Sequence, residues 1–474
     1  MAARDAAVST FRDRGYPYAT VAAEQLPGSA PRRAIGVYRA TPGAAAVFGA
    51  VEIAGNASVG EEVIRRQLTF RPGDTYRQSQ MQESQRRLYN LELFEFANIE
   101  PVNAEGKPPQ VETRVTVAEG KHRRINFGVG YGTEEKARVD TLWRHANFFG
   151  GARTARVAAR WSSLDRGVKA DLTEPYFLKP HLSLSVSGQA WNTREPMYSA
   201  DTFGGRLTLR HQADARARNM WAVTFVNEYQ RSTVSNEALE DLSLRDELIA
   251  LGLDPRDGKQ AGTLVGFEFD VTRNTTNNLL DARRGYYAAL HLEQAGGWLP
   301  GGFDFYSATL DVRQYTSILR RLVLANRAQI GSIDGIGRSL ALDTSRVPFS
   351  RRYFLGGSTS LRGWGRFEVS PLSGSGLPIG GLSMLELNSE VRLGVNRSLS
   401  LVAFFDAGNA WARPWQFELD TLRVSAGPGV RYRTPIGPIR ADVGYQLTPI
   451  PGLLVDGEPQ TRRWRVHFSI GQAF

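Results

Sequence analysis

Residues 353–364 read Tyr-Phe-Leu-Gly-Gly-Ser-Thr-Ser-Leu-Arg-Gly-Trp, and they lie between two segments in which apolar and polar residues alternate strictly. They belong to a long polar insert, about 336–379, that contains Gly356 and Gly357 and carries Arg362 at its tip. Glycines permit positive φ angles and close packing of a loop against a wall. A long ordered loop in a compact domain is usually functional. We therefore expect a loop that folds inward and whose cation meets a carboxylate.

The alternation continues along nearly every segment after Arg124. A period of two over ten or more residues places one face of a strand in lipid and the other in a wet lumen. A soluble β-sandwich is the alternative, but its strands would be shorter and its polar face would meet solvent. About sixteen segments can be counted, an even number as in bacterial barrels, so we predict an antiparallel transmembrane β-barrel over 121–474. Examples of the alternation are Leu182–Ser187, Val265–Val271, Ile439–Gln446 and Trp464–Ile470.

The composition excludes several other classes. The 474 residues are too many for one ordinary globular domain, and mean hydropathy is −0.32. We find no apolar run near the roughly 18 residues that a membrane helix needs. The chain has no cysteine, which rules out a disulfide framework and a cysteine-ligated metal site. The net charge of +10 would suit a nucleic-acid binder, but the arginines recur on alternating segments rather than in a basic tail or a recognition helix.

The sequence before the barrel predicts a small α+β module over 46–120, in the order strand, helix, helix, strand, strand. Gly55 and Asn56 signal a turn after the first strand, and Ser58 with Glu61 has the spacing of a helix capping box. The predicted elements are strand 48–53, a helix with Val63, Ile64 and Leu68 on its apolar face, helix 75–91, and strands 94–99 and 111–117.

Residues 1–45 predict the second half of a similar module, with a helix over 1–12, a strand at 15–21 and its hairpin partner at 35–38. The first strand and helix of such a module have no counterpart here. No apolar segment of the kind found in a secretory signal follows Met1. We therefore expect the sequence to be part of a longer precursor.

Parity along two alternating segments selects acidic partners for Arg362. In 398–409, Leu401, Ala403 and Phe405 share one face, which leaves Asp406 on the other. In 383–393 the polar face carries Glu386, Asn388, Glu390 and Arg392. Asp406, Glu386 and Glu390 are therefore predicted to face the lumen. The alternative is that Arg362 is one of many solvated lumen arginines, in which case a pair would contribute only about 0–1 kcal/mol.

Three motifs resemble the BamA/TamA family of outer-membrane assembly factors, over nearly the whole chain. They are the loop tip Leu361-Arg362-Gly363-Trp364, the strand motif Phe404-Phe405-Asp406-Ala407-Gly408-Asn409, and Glu174-Pro175-Tyr176-Phe177. The family tip is usually Val-Arg-Gly-Phe/Tyr, so Leu361 and Trp364 depart from it while keeping its apolar and aromatic character. The resemblance implies that 46–120 is a periplasmic POTRA domain and that Asp406 holds Arg362. It also makes Glu390, sixteen residues before Asp406, preferable to Glu386.

The ends of the barrel suggest a weak seam. The first strand carries Gly128, Gly130 and Gly132 on one face, and the last strand ends with Gly471 and the aromatic Phe474. Glycine adds no cross-strand side-chain packing, although glycine is also common in barrels generally. An opened seam would offer unpaired backbone groups to a client strand by β-augmentation, which is the mechanism that the family resemblance implies.

Motifs of enzymes and cofactor sites are missing from the sequence. The six histidines lack metal-binding spacing, Gly128-x-Gly130-x-Gly132 precedes no helix, and no G-x-S-x-G elbow occurs. A barrel phospholipase would need a Ser/His pair on a lipid-facing surface, whereas His467 shares the lumen face with arginines. We predict no enzyme activity and no cofactor, metal or ATP.

The resemblance implies an assembly factor in the bacterial outer membrane with its POTRA module in the periplasm. Its partners would be unfolded outer-membrane protein clients, membrane lipid, and periplasmic or lipoprotein partners bound through POTRA, without nucleic acid. A two-partner-secretion transporter, which exports a soluble exoprotein through the lumen, shares the loop and POTRA features. A diffusion porin is disfavoured by the module at 46–120.

Overall fold

A computed structural model of the chain describes two compact units. One comprises 1–124 with 144–155, and the other comprises 125–143 with 156–474. Among the residues described, no helix combines the length and the hydropathy needed to cross a bilayer. The residues described are 2–27, 34–102, 104–179, 181–213, 218–235, 245–279, 281–336, 346–434, 437–455 and 458–470.

The first unit begins with helix α1, Ala2–Arg12, and an antiparallel hairpin of β1, Thr20–Pro27, and β2, Ala34–Thr41. The hairpin was predicted, but its first strand was placed too early. The chain still turns at Gly15, where φ is +96°, so extended pairing begins only at Thr20.

The rest of this unit contains the predicted order of strand, two helices and two strands. The parallel pair β3–β5 and the antiparallel pair β4–β5 form one sheet in the order β3-β5-β4. Strands β3 and β4 lie at its edges. The outer edge of β3 is already bonded at Phe48 to Gly73 and Asp74, and that of β4 is bonded at Ala97 to side chains of α3. The elements are β3 Val47–Ala54, α2 Glu61–Arg65, α3 Gln78–Asn90, β4 Phe94–Pro101 and β5 Gln110–Glu119.

A small apolar core joins the helices to this sheet. Phe48 of β3 stacks on Phe70 with ring centroids 4.1 Å apart. Ile64 of α2 and Leu88 of α3 are fully buried, as is Val111 of β5. Alternation along the strands and a 3.6-residue period along the helices place these residues on one side, so the module has its own core.

The predicted capping box at Ser58 is wrong. Helix α2 starts one residue after Gly60, which makes no side-chain cap. The Ser58 hydroxyl instead donates to the carboxylate of Glu119 at 2.5 Å. The same carboxylate accepts the backbone N–H groups of Ala57, Ser58 and Val59 at 2.7, 2.8 and 2.8 Å. A residue distant in sequence thus binds both the hydroxyl and the N–H of Ser58, the two groups that the local motif was expected to use.

Glu119 should make this turn sensitive to acid. Partial burial raises the pKa of Glu119, but hydrogen bonds from Ser58 and the three amides outweigh it and lower the pKa from 4.5 to about 2. The stabilisation is therefore complete above pH 4.5 and is lost as pH falls through about 2. At neutral pH, Glu119→Gln should speed amide hydrogen exchange at Ala57 and Val59 about tenfold, since hydrogen bonds to an ionised group are the stronger ones. Unchanged exchange in this variant would contradict the role given to the carboxylate.

The remaining strands form a closed barrel, as predicted. Sixteen strands of the described residues pair with their neighbours, and each register given for these pairs is antiparallel. Helix α4, Arg245–Ala250, and the short hairpin of β21, Leu454–Val455, and β22, Glu458–Pro459, lie in connections. The barrel strands are β6 Arg123–Gly132, β7 Lys136–His145, β8 Thr154–Trp161, β9 Asp165–Glu174, β10 Leu182–Arg194, β11 Tyr198–Gln212, β12 Asn219–Val234, β13 Lys259–Asn274, β14 Gly285–Ala295, β15 Phe305–Leu319, β16 Leu322–Gly335, β17 Ser383–Gly394, β18 Leu399–Trp411, β19 Arg423–Thr434, β20 Gly437–Gln446 and β23 Trp464–Ile470.

The two faces of the barrel wall follow the alternation. Phe267 and Phe269 of β13 are exposed on the outer face, whereas Glu268 between them is buried. On β23, Trp464 and Val466 are exposed and His467 is buried. Apolar side chains outside and polar side chains inside are what a barrel in lipid requires, so this fold is a transmembrane β-barrel.

Candidate functional site

The long insert between β16 and β17 folds back into the barrel. Its described part, from residue 346 to Ser383, is tied to itself by the isolated bridges Tyr353↔Gly381 and Leu355↔Val369. Leu361 and Trp364, on either side of the tip, are fully buried in a cluster that includes Leu355 and Val369. The loop therefore shares an apolar cluster with Met384 and Ala410 of the barrel wall and presents Arg362 from an ordered backbone.

The guanidinium of Arg362 is held by Asp406 of β18. Nε lies 2.8 Å from Oδ2 and Nη2 lies 2.6 Å from Oδ1, which is bidentate pairing. The backbone N–H of Arg362 also donates to Oδ2, at 3.1 Å. Arg362 is only 1% exposed and Asp406 is fully buried, so this pair has no solvent to compete with it.

A second carboxylate and an aromatic ring complete the tip site. Nη1 of Arg362 lies 2.5 Å from Oε1 of Glu390 on β17. The guanidinium carbon lies 3.6 Å from the centre of the Phe404 ring, a cation–π arrangement. Glu386 is also buried, but it accepts from Ser360 at 3.0 Å and from Arg327 at 3.1 Å instead of binding Arg362. The structure thus places Asp406 and Glu390 at the tip, whereas Glu386 binds Ser360 and Arg327.

Close packing of backbone against the wall positions this tip. The N–H of Gly363 donates to the Ser425 hydroxyl at 3.2 Å, and the Gln446 amide donates to the Gly363 carbonyl at 2.9 Å. A Cβ at Gly363 would lie 2.7 Å from Cβ of Ser425. A Cβ at Gly444 of β20 would lie 2.1 Å from the carbonyl oxygen of Arg362. Neither position has room for a larger residue.

Two further arginines tie the loop to other parts of the barrel. Arg366 forms a bidentate pair with Glu195, in the connection of β10 to β11, at 2.6 and 2.7 Å. Arg351 donates to Glu293 of β14 at 2.9 Å. The loop is therefore held at three separated points. Neither contact could be predicted, because Glu195 and Glu293 lie far from the loop in sequence and no local motif marks them.

The predicted tip glycines Gly356 and Gly357 both adopt positive φ, +104° and +101°. A Cβ at Gly356 would also meet the Gly365 carbonyl oxygen at 2.3 Å. These two residues form a sharp bend that only glycine adopts readily. The bend turns the chain toward the tip and brings Ser358 to Glu134, in the turn between β6 and β7.

At the predicted seam, the described residues of β6 and β23 give one register pair, Ser469↔Gly132, and a bond from the Thr133 N–H to the Phe468 carbonyl at 3.0 Å. The described part of β23 ends one residue beyond that pair, at Ile470. On its other side, β23 pairs with β20 at seven positions from Ile439↔Ile470 to Tyr445↔Trp464. Cβ positions built at Gly128 and Gly130 lie near Asp140 and Arg138 of β7. Gly471 and Phe474, the other predicted seam residues, lie outside the described residues.

A closed sixteen-stranded barrel with an arginine-tipped loop inside it, preceded by a βααββ module, defines a transmembrane barrel protein of the POTRA-linked class. Residues 147–474 match the Omp85 superfamily domain, and residues 46–120 match the POTRA family described as surface antigen variable number repeat. The chain belongs to the Omp85 superfamily, which confirms the family resemblance of the sequence.

Curated relatives extend over nearly the whole chain. The outer membrane protein assembly factor BamA of Neisseria meningitidis is 23% identical, over 97% of this chain and 60% of its own length. The factor of the same name from Nitratidesulfovibrio vulgaris is 26% identical, over 90% of this chain and 51% of its own length. The chain therefore spans between half and three-fifths of these relatives.

Two solved structures share the fold. The crystal structure of BamA from Haemophilus ducreyi lacking POTRA domains 1–3 matches with a TM-score of 0.80 at 18% identity, and covers 99% of this chain and 92% of that one. CdiB from Acinetobacter baumannii matches with a TM-score of 0.55 at 12% identity, and covers 96% of this chain and 78% of that one. At these identities the likeness concerns the fold alone.

Proposed function

We propose that this chain is the membrane part of an outer-membrane protein assembly factor, located in the bacterial outer membrane with its POTRA module in the periplasm. The observation that carries the proposal is the loop that is firmly anchored inside the barrel by its arginines. The curated relatives are named as outer membrane protein assembly factors, which supports the proposal.

The anchored loop favours the seam over the lumen as the route for a client. Export through the lumen would have to displace a loop held by Arg351, Arg362 and Arg366. Separating a buried arginine from its carboxylate leaves an uncompensated charge and costs about 3–5 kcal/mol. Opening the seam breaks backbone bonds between β6 and β23 and the contact of His467 with Glu134, but it leaves the buried pair of Arg362 and Asp406 intact. The unpaired edges would then accept a client strand by β-augmentation.

The POTRA sheet would bind a client before the client reaches the seam. The parts of its edge strands β3 and β4 that lie beyond Phe48 and Ala97 would pair with an extended client segment or with a periplasmic or lipoprotein partner. Because main-chain hydrogen bonds provide the affinity of such pairing, the edge would bind many sequences with little specificity. This suits a factor that serves unfolded clients of different sequence, and it requires no cofactor.

Depletion of the protein in its native bacterium tests this proposal. If the chain serves assembly, quantitative proteomics of outer membranes should show that many barrel proteins decline together. Re-expression of the full-length precursor should restore them. A decline confined to one secreted exoprotein, with barrel proteins unchanged, would contradict assembly and support the two-partner-secretion alternative.

A further inference from the structure

His467 of the last strand lies where three elements meet. Its side chain is 2% exposed. Nε2 lies 2.9 Å from the carbonyl oxygen of Arg362, at the loop tip. Nδ1 lies 3.4 Å from the carboxylate of Glu134, in the turn that joins β6 to β7. The imidazole of His467 thus contacts both the loop and the first hairpin of the barrel, while the residue itself belongs to the last strand.

Glu134 is itself bound to the loop. Its Oε1 accepts the backbone N–H of Ser358 at 2.6 Å, and its Oε2 lies 3.3 Å from the Ser358 hydroxyl. Arg366 of the loop lies 3.9 Å away. The turn that carries Glu134 also supplies Thr133, whose N–H makes the seam bond to Phe468. Side chains and backbone therefore hold the same short stretch of the seam.

We propose that Glu134 and His467 form a clasp that couples docking of the loop tip to closure of the seam. The inference rests on the proposed function, because it concerns how that seam is kept shut. While Arg362 is docked, its carbonyl faces His467 and Ser358 faces Glu134. When the tip leaves, both members of the clasp lose a loop partner, and backbone pairing between β6 and β23 is left to hold the seam. His467 and Glu134 are positioning residues in this scheme.

A double-mutant cycle on the cysteine-free chain tests the coupling. Cysteines at the register partners Gly132 and Ser469 would report seam closure by their rate of disulfide formation under a mild oxidant. A Cβ at Gly132 would meet nothing closer than 3.4 Å, so the reporter fits. In the purified folded chain in detergent, Arg362→Ala and His467→Ala should each slow cross-linking about fivefold, a size typical of coupled residues in contact.

The cross-linking rate of the double variant, Arg362→Ala with His467→Ala, shows whether the clasp couples the loop tip to the seam. If the clasp transmits the effect, Arg362→Ala should slow cross-linking no further in the His467→Ala background. Rate reductions that multiply would overturn the proposal. His467→Gln provides a second form in case the alanine variant fails to fold. Its amide reaches the position of Nε2 but has no group at the position of Nδ1, so it would keep the contact with Arg362, lose that with Glu134 and abolish the coupling in the same way.

Glu293→Gln is the matched control. It weakens the Arg351 anchor at β14, far from β6 and β23 in strand order, and should change the cross-linking rate by less than about twofold. A change as large as that of His467→Ala would mean that any loosening of the loop opens the seam, which overturns a specific clasp. These measurements use no client, so they separate failure of the clasp from failure of the assembly function, which the depletion experiment tests.

Discussion

Replacing Arg362 with alanine is expected to release the loop tip and to destabilise the folded barrel by about 3–5 kcal/mol. The substitution would leave the buried carboxylate of Asp406 without its cation, whereas Glu390 would keep Arg392 at 2.7 Å and Arg431 at 3.3 Å. A buried carboxylate that has lost its partner has no water to replace it. Arg362→Lys should recover only part of the loss, because an ammonium cannot make the bidentate contact with Asp406.

Two measurements check this expectation. The temperature at which the folded barrel loses its faster migration in gel electrophoresis should fall, and the variant should fail to restore barrel proteins after depletion. Arg231→Ala is the matched control, since Arg231 pairs with Asp201 at 2.6 Å but both side chains are nearly half exposed. Exposed pairs contribute about 0–1 kcal/mol. Wild-type heat-modifiability and activity in Arg362→Ala would contradict the docked-loop account.

Gly444→Ala is expected to displace the same tip without removing any charge. Its Cβ would lie 2.1 Å from the carbonyl oxygen of Arg362 and 2.4 Å from the carbonyl carbon, and both are backbone atoms that cannot rotate away. Overpacking of this kind typically costs about 1–3 kcal/mol. Here we expect it to shift the loop rather than the strand, because β20 is fixed by its neighbours on both sides.

Trypsin digestion of the folded chain reports this displacement. With the loop docked, the bond after Arg362 is buried and should resist cleavage, whereas Gly444→Ala should expose it and yield a new fragment. Gly394→Ala serves as control, because a Cβ at that barrel position would meet nothing closer than 3.6 Å. If the loop of Gly444→Ala resists trypsin as well as the wild type does, the close approach of Gly444 to the tip does not position it.

The strands and the inward-facing acidic residues could be predicted because both follow from a local rule. Alternation fixes which residues face inward, so parity alone selected Asp406, Glu386 and Glu390 as lumen residues. Parity does not give distance across the lumen. The choice of Glu390 over Glu386 therefore rested on the family resemblance, and the structure places Glu390 beside Arg362 and Glu386 beside Arg327.

Other contacts could not be predicted, for physical reasons that differ. Glu195 and Glu293 receive loop arginines because of the closed shape of the barrel, which no single segment encodes. Phe404 belongs to the strand motif around Asp406, but its contact with the Arg362 guanidinium depends on the docked loop. The capping box at Ser58 failed because a distant residue, Glu119, binds both the hydroxyl and the backbone N–H of Ser58. In each of these cases a tertiary contact, and not the local sequence, determines the partner.

We propose that a client enters the membrane at the seam and not through the lumen. Photocross-linking to a stalled client tests this proposal most directly. A photoreactive phenylalanine analogue would replace Phe127 of β6, which is 77% exposed on the outer face beside the seam. The lipid-facing control is Phe203, 70% exposed and five strands further along the barrel. The lumen position is Tyr287, whose ring lies 5.1 Å from the Arg313 guanidinium. We predict client adducts at 127 and none at 203 or 287, whereas adducts at 287 without any at 127 would contradict the account.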